Sequence, residues 1–123
     1  NCMDESRYLS FVYNKYKSEG LEIIALAFEK TNDFDRAVAQ VSRLKSRFDI
    51  TYEILITQQT GKDQASKVLP WLSGVTAFPT TVFLDKDHKI SYIHTGFSGP
   101  ATGKAYEDFK KDTESRINNL LKP

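Results

Sequence analysis

Ala77-Phe78-Pro79-Thr80-Thr81-Val82-Phe83-Leu84-Asp85 is the stretch of this sequence that decides the fold. From Thr80 to Asp85 the residues are mostly β-branched, aromatic or aliphatic, which is typical of a β-strand. A second strand-like run, Ile90 to Thr95, follows the polar connection at 86–89. Because so short a connection joins the two runs, we predict an antiparallel hairpin.

The residues before the hairpin predict alternating helices and strands. A helix over 2–17 has its apolar residues at helical spacing and ends near Gly20. The nearly continuous apolar run Leu21 to Phe28 predicts an interior strand that is covered on both faces. A second helix begins after the N-cap candidates 31–33. Its predicted apolar face comprises Phe34, Val38, Val41, Leu44 and Phe48.

The remaining elements complete an α/β layer sandwich in one domain over residues 1–123. Tyr52 to Thr57 predicts an edge strand, and 63–69 predicts a short helix that ends or kinks at Pro70. A glycine-rich loop at 96–103 leads into a last helix. The predicted buried side of that helix comprises Tyr106, Phe109, Ile117, Leu120 and Leu121.

Composition and charge exclude several function classes. Lysine and arginine total 17 and aspartate and glutamate 16, so a net charge of +1 predicts no nucleic-acid partner. No apolar run approaches the ~20 residues of a membrane helix. His88 and His94 are isolated and predict no metal site. The segment 99–105 lacks the spacing of a phosphate-binding loop, so we expect no cofactor.

Cys2 is the only cysteine, and a predicted helix starts directly after it. A thiol at a helix N-terminus ionises more easily, because unpaired N–H groups and the helix dipole favour the thiolate. This placement predicts thiol chemistry. A partner in a Cys-x-x-Cys pair would lie three residues before Cys2, beyond Asn1, so we expect the sequence to be truncated inside such a motif.

Two segments carry a resemblance to a known family. Residues 1–5, Asn-Cys-Met-Asp-Glu, resemble the end of a Trp-Cys-x-x-Cys active site, and 77–85 resemble the proline loop and following strand of thioredoxin-like proteins. The TlpA/ResA-like thiol-disulfide oxidoreductases are the most similar branch, and the loop at 95–103 is also similar to theirs. The resemblance implies a thioredoxin-like three-layer α/β/α sandwich with a mixed sheet, here without the strand before the active-site helix.

The resemblance also implies roles for individual residues. Pro79 corresponds to the family's cis-proline, which brings the preceding backbone beside the sulfurs. Phe78 would then face the substrate, and Thr80 would belong to the same substrate-binding loop. Glu5 occupies a position where the branch often has a catalytic glutamate, three residues after the second cysteine of the pair.

Glu5 also has an independent physical argument. Residues three apart on a helix are surface neighbours, so Glu5 would lie beneath Cys2. Its carboxylate could accept or relay the thiol proton, and its charge would raise the pKa of the thiol against the helix dipole. The ordinary alternative is that Asp4 and Glu5 only supply the acidic first turn that helices favour.

The family's activity is disulfide exchange with protein thiols and disulfides, supported by a redox partner protein. In the whole protein, an upstream cysteine would attack the substrate and Cys2 would resolve the mixed disulfide. A chain without that cysteine is expected to lack sustained turnover, although it could form a Cys2-linked dimer. By resemblance, the location is periplasmic or extracytoplasmic, with a membrane tether outside this fragment as one option.

Two other functions compete with this interpretation. A peroxiredoxin also places a reactive cysteine at a helix N-terminus, and Arg7 is a conceivable helper for peroxide attack. The other alternative is a non-catalytic thioredoxin-fold binding module, in which Pro79 only shapes a peptide groove.

The absent strand leads to one further expectation. It would lie between the strands resembling 21–28 and 80–84, and an open slot would leave backbone groups unpaired at roughly 1 to 3 kcal/mol each. We therefore expect the slot to be closed. A neighbouring chain could donate a strand in a strand-exchanged dimer, or the flanking strands could pair directly.

Overall fold

A computed structural model describes residues 2–28, 33–57 and 79–123, apart from the side chain of Cys2. Its helices and strands alternate along the chain in the predicted order. The helices are α1 (Cys2–Tyr16), α2 (Phe34–Arg47) and α3 (Lys104–Leu121). The strands are β1 (Ile24–Ala27), β2 (Glu53–Ile56), β3 (Thr80–Leu84) and β4 (Ile90–Thr95). The predicted helix at 63–69 and its end at Pro70 lie outside the described residues.

Local signals set the end of α1 and the start of α2. After α1, a 3₁₀ turn at Lys17–Glu19 ends at Gly20, whose φ of 108° is the left-handed conformation that glycine adopts without a Cβ clash. Before α2, the Asp33 carboxylate accepts hydrogen bonds from the backbone N–H groups of Asp35 and Arg36. The predicted stop of α1 at Gly20 and the N-cap of α2 are therefore confirmed.

The hairpin between β3 and β4 is also confirmed. The two strands pair antiparallel from Thr80 opposite Thr95, with an irregularity between Phe83 and Leu84. The Asp85 carboxylate holds the turn, because it accepts hydrogen bonds from the N–H groups of Asp87 and Lys89 at 2.9 and 3.0 Å.

The described strands form two separate pairs. β1 and β2 are parallel, with Ile24 opposite Glu53, and β3 and β4 form the hairpin. Within the described ranges, β1 and β3 do not pair with each other. The direct closure of the slot predicted from the sequence is therefore not found there, whereas donation of a strand by a neighbouring chain stays a prediction.

The core lies where α1 and α3 pack together against one face of the hairpin. Phe97, from the loop after β4, closes this core, and Phe83 of β3 packs against it. Edge-to-face contacts join Phe109 to Tyr8 and Phe97, with ring centroids 5.7 and 5.0 Å apart. The buried residues of the cluster are Tyr8, Val12, Tyr16, Phe97 and Ile117.

Two predictions about buried faces need correction. Ile24 and Leu26 of β1 are 60% and 38% exposed, so the structure does not cover both faces of this strand. On α2, Phe34 and Val38 are also exposed, whereas Val41 is buried as predicted and Ala37, which was not predicted, is buried beside it. An apolar sequence pattern indicates which side of an element is able to be buried, but the covering depends on the segments that pack there.

Val12 tests the core directly because its side chain is fully buried. Val12→Ala removes apolar atoms from a packed site, so we expect the free energy of unfolding to fall by about 2 kcal/mol. Urea unfolding monitored by circular dichroism measures this loss. Val38→Ala on the exposed side of α2 is the matched control and should cost less than about 1 kcal/mol. Equal losses for the two variants would contradict this placement of the core.

Candidate functional site

Glu5 lies in the first turn of α1 on the side of the helix that faces the core. It is only 6% exposed, and it precedes the buried Tyr8 by one helical turn. A carboxylate that merely complemented the helix dipole would remain in solvent, as the exposed Asp4 does. The burial of Glu5 therefore distinguishes it from an ordinary acidic residue at a helix start.

A hydrogen bond connects this buried carboxyl group to the strand that follows Pro79. The Thr81 hydroxyl donates to Glu5 Oε1 at 3.0 Å across 76 sequence positions. Thr81 is the second residue of β3, and Pro79 directly precedes that strand. The structure thus brings the first turn of α1 and the start of β3 together, as the resemblance implies for Cys2 and Pro79.

Loop contacts fix the position of the proline beside this turn. The backbone carbonyl of Pro79 accepts a hydrogen bond from the Gly96 N–H at 2.7 Å. Gly99, in the same loop, is buried so close to α1 that a Cβ atom there would lie 3.1 Å from Asp4 Oδ2. The start of β3 and the loop after β4 therefore both border the first turn of α1.

Burial controls the protonation of Glu5. It raises the pKa of this carboxyl group from 4.5 to about 7, while the hydrogen bond from Thr81 acts in the opposite direction. Glu5 Oε2 is buried and has no hydrogen-bond partner among the described residues. Near neutral pH this group is therefore able both to take up and to release a proton, which is the property required of a general acid or base.

Tyr52 is a further titratable neighbour of Glu5. Its side chain is buried, which raises the pKa of the phenol, while a hydrogen bond with Ser6 lowers it and the Glu5 charge raises it further. Ser6 and Glu5 are adjacent on α1, and Tyr52 immediately precedes β2. The charge of Glu5 therefore acts on a group next to β2, while its carboxyl group is hydrogen-bonded to β3.

The structure describes the predicted site residues to different extents. Cys2 is the first residue of α1, as predicted, although its thiol lies outside the described atoms. Phe78 and its peptide bond to Pro79 also lie outside the described residues. Thr80 is half-buried at the start of β3. Because side chains alternate along a strand, it projects from the face opposite to that of Thr81.

Sequence reasoning missed Thr81 as a site residue; its neighbour across the hairpin is His94. The pairing of β3 with β4 sets these residues opposite each other, on the strand face that carries Phe83 and Tyr92. The His94 ring lies 5.0 Å from that of Phe109 in α3. A period-two pattern from Phe83, which packs against the core, back to Thr81 could have placed the threonine on the inner face of β3, but it could not have indicated Glu5 as its partner.

The described part of the chain offers little support for other kinds of site. It contains no group of histidine, cysteine and acidic side chains arranged to hold a metal ion. Among the described helices, none has the length and apolar character needed to cross a membrane. The Arg7 guanidinium lies 4.9 Å from the ring centroid of Phe48, at the end of α2.

Comparisons with known proteins agree with this geometry, although no protein-family model matches the chain. The chain is 32% identical to the thiol-disulfide oxidoreductase ResA of Bacillus cereus over 89 residues, which is 72% of this chain and 44% of that protein. For ResA of Geobacillus thermodenitrificans the identity is 30% over 114 residues, or 93% of this chain and 55% of the relative. This chain belongs to the thioredoxin-like TlpA/ResA family.

Structure comparison supports the same fold. A Chlorobium tepidum protein described as a thiol:disulfide interchange protein DsbE superposes with a TM-score of 0.71 at 18% identity, over 98% of this chain and 71% of the other. The predicted α/β thioredoxin-like fold is therefore confirmed. The chain spans about half the length of the ResA proteins that it matches.

The raised pKa of Glu5 predicts a pH-dependent stability. Between pH 4.5 and about 7 the folded protein holds a proton on Glu5 that the unfolded chain releases. The stabilisation that this proton gives the folded state is therefore complete at low pH. As the pH rises to about 7, the free energy of unfolding falls by about 3 kcal/mol. Glu5→Gln removes the titrating group, so its stability relative to wild type should increase by that amount between acidic and mildly alkaline pH.

Urea unfolding of both proteins at about pH 4.5 and about pH 8 measures the effect. Glu19→Gln is the matched control, because it removes an exposed carboxylate just after α1. This control should keep the pH dependence of wild type. The assignment is wrong if Glu5→Gln and wild type lose stability equally between the two pH values.

Proposed function

We propose that this chain is a thiol-disulfide exchange domain that acts on protein disulfides through Cys2. The observation that carries the proposal is the hydrogen bond between Thr81 and Glu5, which holds a buried carboxyl group in the helical turn that Cys2 begins. The similarity to ResA proteins supports the same reaction class.

The exchange step requires no external oxidant. The Cys2 thiolate attacks one sulfur of a disulfide and forms a new S–S bond, while the second sulfur leaves with the electron pair of the broken bond. In the whole protein, we propose that the attacked disulfide joins an upstream cysteine to a substrate. Cys2 then releases the substrate as a thiol and becomes part of an internal disulfide.

Glu5 is proposed to handle the proton of this step. The Cys2 thiol must lose its proton before it attacks, and the leaving sulfur gains one afterwards. The Glu5 carboxylate takes up the first proton and is able to return one in the reverse direction. With a pKa of about 7, this group is suited to both transfers near neutral pH.

Pro79 and its neighbours are proposed to hold the substrate. The hydrogen bond from Gly96 to the Pro79 carbonyl fixes the proline at the entry to β3, beside the turn that carries Glu5. We propose that the backbone of Phe78 pairs with the substrate chain and that Thr80 lines the same groove. The side chain of Thr80 is on the face of β3 opposite to Glu5, so it would contact the substrate independently of the proton site.

The partners are proposed to be protein thiols or disulfides and a redox protein that resets Cys2. An extracytoplasmic location, with a tether elsewhere in the whole protein, follows from the same resemblance. A Cys2-linked dimer and a strand-exchanged dimer are two proposed associations of this chain. The first needs only two exposed thiols, whereas the second would place a strand of a neighbouring chain between β1 and β3, which do not pair with each other within the described ranges.

A peroxidase is the weaker alternative. The Arg7 guanidinium, which would have to assist peroxide attack, stacks on Phe48. The curated relatives are named as thiol-disulfide oxidoreductases. Both observations favour disulfide exchange over peroxide reduction.

Exchange at Cys2 is testable with oxidised glutathione. We expect a mixed disulfide on Cys2, detected by mass spectrometry, that forms faster with the folded chain than with the urea-unfolded chain, because the helix N-terminus favours the thiolate. Cys2→Ser should give no adduct. Equal rates for the folded and unfolded chains would argue against the proposal, and faster reaction with hydrogen peroxide than with the disulfide would favour the peroxidase.

Turnover provides a separate test. These 123 residues contain one cysteine, so an internal disulfide cannot form. We expect the chain to give no sustained reduction of insulin in the presence of a thiol reductant, above the rate of the reductant alone. Extension to a length that includes a cysteine three residues before Cys2 should restore turnover. Steady activity of the 123-residue chain would contradict this expectation.

A further inference from the structure

We propose that Thr81 is a positioning residue for proton transfer: its hydroxyl fixes Glu5 Oε1 and thereby assigns Oε2 as the oxygen that exchanges a proton with Cys2. This inference rests on the proposed function and adds the group that orients the carboxyl. The relevant contact is the 3.0 Å hydrogen bond from Thr81 Oγ1 to Glu5 Oε1.

The two oxygens of Glu5 have different surroundings. Oε1 accepts the Thr81 hydrogen bond, and Oε2 is buried without a partner among the described residues. A protonated carboxyl group has one oxygen that donates and one that still accepts. Because the Thr81 hydroxyl donates to Oε1, the carboxyl proton belongs on Oε2.

The helix geometry directs this proton toward Cys2. Side chains on a helix lean toward its N-terminus, so Glu5 extends back over the turn that Cys2 begins. Residues three apart have their Cβ atoms roughly 5 to 6 Å apart, a distance that a glutamate side chain spans. A carboxyl group free to rotate would present either oxygen to the thiol, whereas Thr81 leaves only Oε2.

The threonine itself is held firmly. It is paired within the hairpin, where it lies opposite His94, and its β-branched side chain has restricted rotation about χ1. Pro79, two residues earlier, is held by the hydrogen bond from Gly96. The donor to Glu5 is therefore part of a strand fixed at its start, rather than of a loop.

Several other titratable or charged groups lie on the elements that pack around Glu5. Cys2, Asp4 and Arg7 are on α1, Tyr52 precedes β2, and His94 lies opposite Thr81 on β4. Tyr52 is the described group whose pKa is coupled to the charge of Glu5. Because these groups also titrate, the test must isolate the contribution of the Thr81 hydroxyl.

The test compares Thr81→Val with Thr81→Ser. Valine keeps the shape of the side chain and removes the donor, whereas serine keeps the donor. We measure the titration of the Glu5 carboxyl carbon by NMR, assigned with Glu5→Gln, and the pH profile of the Cys2 reaction with oxidised glutathione. Without the hydrogen bond the carboxylate is less favoured, so both midpoints should rise by about one pH unit in Thr81→Val.

The corresponding change in rate follows from the smaller ionised fraction of Glu5. At about pH 7, Thr81→Val should react about fivefold more slowly than wild type, and Thr81→Ser should restore the wild-type rate and midpoint. Thr95→Val is the matched control, because it removes an exposed threonine hydroxyl from the same hairpin. It should leave both measurements unchanged. If Thr81→Val does not fold, Thr81→Ala provides the same comparison.

The outcomes separate this inference from the proposed function. If wild type forms no adduct with glutathione, the proposed function fails. If wild type reacts and Glu5→Gln alters its pH profile, but the hydroxyl-free variants at position 81 titrate and react like wild type, only the role of Thr81 is overturned. A loss of rate in Thr81→Val that Thr81→Ser does not recover would also overturn it.

Discussion

The burial of one stripe of residues along α1 is the constraint on which the rest of the structure depends. Tyr8, Val12 and Tyr16 are nearly inaccessible to solvent and pack against α3 and Phe97. Glu5 continues this stripe by one turn toward the helix N-terminus. Rotation of α1 to return Glu5 to solvent would expose Tyr8 and Val12. The core therefore holds a carboxyl group inside the molecule, in the turn that begins with Cys2.

The same packing determines the acid-base behaviour of Glu5. A helix N-terminus favours the Cys2 thiolate, whereas a charged carboxylate nearby disfavours it. Burial moderates the second effect, because with a pKa of about 7 Glu5 carries its full charge only above neutral pH. When a proton moves from the Cys2 thiol to the Glu5 carboxylate, the negative charge moves from Glu5 to the sulfur. The net charge of the turn does not change. The apolar stripe that stabilises the fold thus also sets the proton affinity of Glu5 on which the proposed disulfide exchange depends.

The sequence predicted the elements whose signals are local. Gly20 and Asp33 act at the ends of α1 and α2 through their own backbone or side chain, and the short connection after β3 specifies the hairpin. The exposure of Ile24 was not predictable in the same way, because it depends on which segments pack over β1. For the candidate site, the sequence identified Glu5 and Pro79 by resemblance. It did not reveal the contact that joins their elements.

Thr81 illustrates why that contact required the structure. Alternation along β3 places Thr81 on the same face as Phe83, which packs on the core below α1. At this position an aliphatic residue would pack equally well, but it would remove the hydrogen bond that the buried carboxyl group of Glu5 receives from β3, at a cost of about 1 to 3 kcal/mol. Threonine provides a methyl group for the apolar face and a hydroxyl for the carboxyl. The need for threonine rather than an aliphatic residue at position 81 depends on Glu5, which lies 76 positions away. No periodicity within the strand could indicate this partner. Strand register and helix packing together thus give Thr81 its role beside the proposed sulfur chemistry.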